Sequence, residues 1–97
     1  MKLVVGRNER ENQKIRTFSR EGDILLRLFR YPGPLSLLRG EAGEEEIEKA
    51  AAITARYSKA KNLKSVEVVC EKAREHGERS LAVAVLPEKE VEELLIN

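Results

Sequence analysis

The sequence holds one cysteine, one methionine, one histidine, no tryptophan and only two tyrosines and two phenylalanines. A lone Cys70 cannot build a disulfide framework, which points to a reducing compartment and an expected place in the cytoplasm. Long apolar runs are missing too: no window approaches the ~20 residues of a membrane span. The start Met1-Lys2-Leu3-Val4-Val5 turns polar at Gly6 and Arg7, too early for a signal-peptide core. His76 sits in Arg-Glu-His-Gly-Glu-Arg, a hydrophilic stretch, and has no companion at metal-ligand spacing. A Walker-type phosphate loop is absent, and Gly6-Arg7-Asn8 is too short for a dinucleotide fingerprint. These gaps leave no catalytic constellation, metal site or cofactor site, so the chain is not expected to be an enzyme.

What is present is charge. Of 97 residues, 36% are charged and 41% hydrophobic. The hydrophobic share supports one folded core, and residues 1–97 are read as a single domain. The net charge of +1 hides strong segregation. Residues 1–40 carry nine Lys/Arg against four Asp/Glu, and residues 55–64 carry four against none. Residues 41–54 carry one against five, and residues 65–97 four against eight. Two basic blocks of this kind can focus a positive field on one face of a near-neutral protein; ordinary solvated faces are the plainer alternative.

Periodicity gives the elements. Leu3-Val4-Val5 is a short β-rich run ended by Gly6. Residues 8–20, with Ile15 and Phe18 spaced i, i+3, predict a short helix or helical turn ended by Glu21-Gly22. In the strand from Asp23 to Phe29, Ile24, Leu26 and Leu28 share one face. Tyr31-Pro32-Gly33-Pro34 is a turn in which Gly33 is expected to take a positive φ, and Leu35 to Arg39 returns as an antiparallel partner. A helix over Gly43 to Tyr57 has Glu44, Glu45 and Glu46 at the positive end of its dipole. Its apolar stripe is Ile47, Ala50, Ala51, Thr54 and Tyr57. Ser65 to Cys70 and Leu81 to Leu86 read as strands, with a helical turn or long loop between them. Glu88 to Ile96 reads as an amphipathic helix opened by Pro87. The fold class is α+β: a mixed or mainly antiparallel sheet packed by two or three helices.

The residues that suit a ligand are cations. Arg7, Arg10, Lys14, Arg16 and Arg20 recur through the first polar segment. Arg27 and Arg30 flank the strand before the turn, Arg39 closes the hairpin, and Arg56-Tyr57-Ser58-Lys59 leads on to Lys61 and Lys64. Arginine matches phosphate through its planar fork and lysine as a point charge. Backbone near Gly33 could approach a phosphate closely. Aromatics at 4% are too sparse for recognition by base stacking, so contacts to the backbone and shape of a folded RNA are expected. Tyr57, on the apolar stripe, is expected at the edge of the core, and Cys70, ending an apolar strand, as a buried small hydrophobe.

Several of these stretches resemble a known family. Val5-Gly6-Arg7-Asn8 followed by Asn12 is similar to the opening of the RNA-binding domain of NFACT proteins, which act in ribosome quality control. Pro32-Gly33 matches its turn, Leu37-Leu38-Arg39-Gly40 its next strand, and Ala50-Ala51 to Tyr57-Ser58-Lys59-Ala60 its helix end. The resemblance spans about residues 4–70. It implies binding of tRNA or rRNA by an accessory domain of a larger protein or assembly. Where the family has Ser-His after the turn this chain has Pro34-Leu35, and its preceding strand reads Leu25-Leu26-Arg27-Leu28-Phe29. Those departures point toward the branch associated with PP-loop enzymes that thiolate tRNA.

The expected RNA contacts are Arg7, Asn8, Arg10, Asn12, Lys14, Arg27, Arg30, Gly33, Arg39, Arg56, Tyr57, Ser58 and Lys59. A protein-interaction module docking through Val91, Leu94 and Leu95, without RNA contact, is the alternative. A third reading makes Cys70 a sulfur carrier or nucleophile.

Overall fold

The computed structural model describes residues 2–59, 62–75 and 77–85. Lys61, His76 and the helix expected over 88–96, with its anchors Val91, Leu94 and Leu95, lie outside the described residues.

Seven elements follow in the order β1 (Lys2–Val5), α1 (Glu9–Phe18), β2 (Ile24–Leu28), β3 (Ser36–Arg39), α2 (Glu44–Arg56), β4 (Ser65–Lys72) and β5 (Glu78–Ala84). The strands form one antiparallel sheet in the order β1-β3-β2-β4-β5. Because β1 and β2 are both antiparallel to β3, they run parallel to each other with one strand between, and α1 makes the crossover. By the same logic α2 crosses from β3 to β4, which flank β2. Parallel neighbours-but-one need such a long connection, and a helix is the usual way to supply it.

Strand alternation sends the two helices to opposite faces. Leu26, Leu28, Leu38, Val66, Val68, Cys70 and Val83 pack with Ala50, Ala51 and Ala55 of α2. The alanines let α2 lie close to the sheet, and the closeness buries Thr54 and Ser36 completely. Their hydroxyls are satisfied: Thr54 Oγ1 donates to the Ala50 carbonyl at 2.8 Å and shares a 2.7 Å hydrogen bond with Ser36 Oγ. The other residues of the same strands, Leu25, Leu37 and Val4, meet Ile15 of α1 together with Leu35 and Ala73.

Two expectations are corrected. Residues 71–79 are strand at both ends: β4 runs on to Lys72 and β5 begins at Glu78, with Gly77 just before it at φ +100°. Gly33 does not carry the positive φ; in its connection that conformation falls to Arg30, at φ 75°. Gly33 is required for space instead. A Cβ there would lie 2.8 Å from Ser58 Cβ, where the β2–β3 connection rests on the end of α2.

A nearly buried ion pair closes the far end of the sheet. Asp23, 3% exposed, accepts from Arg39 Nη2 at 2.7 Å and Nε at 2.9 Å, and from the Arg20 amide at 2.8 Å. The Arg39 guanidinium also lies 4.4 Å over the Phe18 ring, tying β3 to the end of α1. Hydrogen bonds from Arg39 hold the Asp23 carboxyl below its ordinary value of 3.8. A carboxylate with a depressed folded-state value stabilises the fold above its unfolded value, and that contribution is lost as pH falls through the folded value. Melting temperature should therefore fall as pH drops below about 3.8. Asp23→Asn should melt lower at pH 7 and show a shallower acid decline, measured by circular dichroism across pH 2–7.

Candidate nucleic-acid interface

The strand registers sort the connections between two ends of the sheet. Val5 pairs with Ser36, Leu28 with Val68 and Ser65 with Ala84, so residues 6–8, 29–35, 57–59 and 62–64 all gather at one end. Lys2 pairs with Arg39, Ile24 with Lys72 and Glu71 with Glu78, so residues 19–23, 40–43, 73–75 and Gly77 gather at the other. Among the described residues the first set contains no Asp or Glu and carries Arg7, Arg30, Lys59 and Lys64, with Arg56 ending α2 just behind. The second set has Arg20 and Arg74 against Glu21, Asp23, Glu41 and Glu75, and Glu44, Glu45 and Glu46 of α2 open beside it. Among the described residues the connections are thus polarised along the strands, basic at one end and acidic at the other. The end-to-end segregation arises because the acid-free connections, at residues 6–8, at 29–35 and after α2, emerge at the same end of the sheet.

At the basic end lies an open groove of about 970 Å³, walled by Gly6, Arg7, Asn8 and Asn12 on one side. Pro32, Gly33 and Pro34 and the end of α2, Arg56, Tyr57, Ser58 and Lys59, line it as well. Eight of the residues expected from the sequence are brought together there: Arg7, Asn8, Asn12, Gly33, Arg56, Tyr57, Ser58 and Lys59.

Several of the eight build the groove. Asn8 caps α1, its Oδ1 accepting from the Glu11 amide at 2.9 Å. Asn12 Oδ1 accepts from the Leu35 amide at 3.1 Å and so holds the β2–β3 connection against α1. Gly6 has no side chain because the Asn12 amide occupies the space a Cβ would fill, and its own amide donates to the Leu35 carbonyl. Across the groove, Ser58 Oγ donates to the Ala55 carbonyl at 2.6 Å and the Lys59 amide donates to the Pro32 carbonyl at 3.0 Å. The Gly-Arg-Asn and Tyr-Ser-Lys stretches are therefore two clamps on the same Pro-Gly-Pro connection.

Besides Glu9, the groups left facing solvent are cations and rings. Arg7 has a side chain 85% exposed and is steadied by a two-point pair with Glu11, whose carboxyl the hydrogen bond holds below its usual range. Arg10 and Lys14 are exposed one turn apart along α1. Arg30 is exposed and lies 5.1 Å over the Phe29 ring. Tyr57 does not sit at the core edge: it caps α2 with 48% of its surface exposed, because the helix ends before that position returns to the sheet. Phe29 and Tyr31, at 40% and 44%, are exposed at this end as well. Three of the four aromatic residues thus share the basic end, which their low total concealed. Sequence reasoning passed over Phe29 and Tyr31, whose only signal was adjacency to the Pro-Gly-Pro turn.

Two expected contacts sit elsewhere. Arg39 belongs to the ion pair at the acidic end, and Arg27 projects from β2 to Glu78 of β5 at 3.1 Å.

Cys70 faces α2 at 6% exposure, and burial pushes its thiol up, in concert with nearby Glu44 and against Arg79. In native protein an aromatic disulfide reagent should find no fast thiol, and one equivalent should react after denaturation. Fast native labelling would restore the sulfur-carrier reading. Among the described residues, no group of three His, Cys, Asp or Glu could hold a metal ion, and no helix is long and apolar enough to cross a membrane.

A family model described as the NFACT protein RNA binding domain matches residues 1–95. In fold the chain is similar to a solved structure of the C-terminal of the fibronectin/fibrinogen-binding protein from Streptococcus suis, with a TM-score of 0.85 and 19% identity. That superposition covers 94% of this chain and 44% of the other, so the chain spans less than half the length of that neighbour. At this identity the likeness is one of fold. A search of curated proteins found no match.

Proposed function

We propose that this chain, which belongs to the NFACT protein RNA binding domain family, grips a folded RNA by its phosphates at the basic end of the sheet. The single observation that carries the placement is that three loops free of acidic residues converge there around the Pro-Gly-Pro connection. Arg7, Arg10, Lys14, Arg30, Arg56 and Lys59 supply the cations. Asn8, Asn12, Gly33 and Ser58 act by shaping the loops that present them. Arg27 and Arg39 are left out of the contact set because they reach Glu78 and Asp23, toward the acidic end of the sheet.

The RNA is tRNA or rRNA in this reading, and the domain is an accessory part of a larger protein or assembly in tRNA modification or at the ribosome. A PP-loop thiolation enzyme is the proposed associate, on the strength of Pro34-Leu35 standing where the family has Ser-His. Both of those residues are buried, and Leu35 packs in the α1 cluster, so this turn has traded a polar pair for core. No reaction is assigned to the domain.

Purified chain titrated with tRNA in filter binding should bind at low salt. Log affinity should fall linearly with log salt concentration at about 0.7–0.9 per phosphate contact. Absence of binding at low salt, or affinity indifferent to salt, would end the proposal.

A further inference from the structure

Four large apolar or aromatic side chains stand exposed at the basic end: Phe29, Tyr31, Tyr57 and Leu63, each 40% exposed or more. A domain with so few aromatics has sent three of them away from its core and toward its cations. Phosphate binding alone gives no reason for this, since a ring adds nothing to a contact with a charged oxygen. Paired RNA gives none either. An A-form helix presents ribose, phosphate and a shallow groove, with its base faces hidden in the stack. Unpaired bases do expose a π-face, and stacking on an aromatic ring is the usual way proteins hold them.

Tyr57 is the ring best built for the purpose. Its backbone ends α2 with its amide donating to the Ile53 carbonyl, and the next two residues are fastened by the Ser58 and Lys59 hydrogen bonds to Ala55 and Pro32. A ring on so fixed a backbone loses little freedom when a base settles on it. It borders the groove, beside Lys59, so a stacked base would carry its phosphate toward a cation. Phe29 already has Arg30 over one face, which leaves the tyrosines as the more open platforms.

We infer that the basic end takes RNA that is unpaired where it meets the protein, with a base stacked on Tyr57 and the flanking phosphates on Lys59 and Arg30. The inference rests on the RNA-binding reading above and narrows it to single-stranded loops, bulges or ends of a folded RNA.

The full chain is titrated by fluorescence anisotropy with two RNAs of equal length. One is a hairpin paired throughout and closed by a minimal loop; the other has the same start of stem but a single-stranded tail in place of its remaining pairs. The tailed RNA should bind at least about tenfold more tightly. Tyr57→Leu should erase most of that preference by lowering affinity for the tailed RNA, and Tyr57→Phe should keep it. Equal affinity for the two RNAs, or a Tyr57→Leu loss shared by both, would overturn the inference and leave phosphate binding standing. Failure to bind either RNA at low salt would instead remove the RNA reading on which it depends.

Discussion

Replacing Arg7, Arg30 and Lys59 together by glutamine is expected to lower RNA affinity roughly 15- to 150-fold, taking about 0.5–1 kcal/mol for each exposed cation. The salt slope should flatten by about 2–3 as three phosphate contacts are lost. These residues come from three different loops and meet only through the sheet register, so the triple variant tests the convergence itself. The matched control is Lys2, Arg20 and Lys72, also changed to glutamine. It removes the same charge from the opposite end, where Lys2 pairs with Arg39 and Ile24 with Lys72. If net charge alone governed binding, both triples would lose affinity alike. If the basic end is the site, the control should change affinity less than about threefold, since exposed charges more than ~10 Å from the ligand are largely screened at 0.1 M salt. Glutamine keeps the stems, and none of the three basic-end residues is buried, so circular dichroism should show the triple variant folded.

The largest effect on the fold from a single loop position is expected at Gly33. A valine there would drive its Cβ to 2.8 Å from Ser58 Cβ and 3.3 Å from Ser58 Cα, and the latter is backbone that cannot swing aside. Overpacking of this kind costs about 1–3 kcal/mol, and a β-branched side chain belongs at the upper end. For a domain of this length that is a melting temperature lower by roughly 10–20 °C. The same change should disturb the groove, because the Lys59 amide then loses its register with the Pro32 carbonyl. Gly33→Val should thus lose stability and RNA affinity together, whereas the basic-end triple loses affinity alone. Differential scanning calorimetry on both variants separates a residue that builds the surface from residues that use it. A Gly33→Val protein with unchanged melting would contradict the close packing described here.

How much of this could be read in the sequence depends on range. Local patterns were legible: the alternation of Ile24, Leu26 and Leu28, the alanine stripe of α2, and the i, i+3 pair in α1 all gave elements that the structure contains. Contacts across the chain were not. Nothing near Gly33 says that Ser58 will press against it, so the glycine was read as a conformational need when it is a steric one. Arg39 looked like one more basic residue until its partner Asp23, just before the neighbouring strand β2, was seen to claim it. Tyr57 continued the apolar stripe, but the helix stops at Arg56 and the ring stays in solvent. Polar residues 71–79 hid a strand pairing, because β4 and β5 expose one face and Glu71 and Glu78 face each other across the ladder. The candidate site was named in part from basic residues and family-like motifs; its location was not, since which loops share an end follows only from strand order.

The central claim is that RNA meets this domain at the end of the sheet where the three acid-free loops converge. Backbone amide shifts of labelled protein, followed by NMR as tRNA is added at low salt, test it most directly. The account predicts changes concentrated in residues 6–14, 29–34 and 56–64, with residues 20–24, 39–46 and 72–78 unmoved. Changes centred on the second group, or spread evenly over both ends, would contradict it.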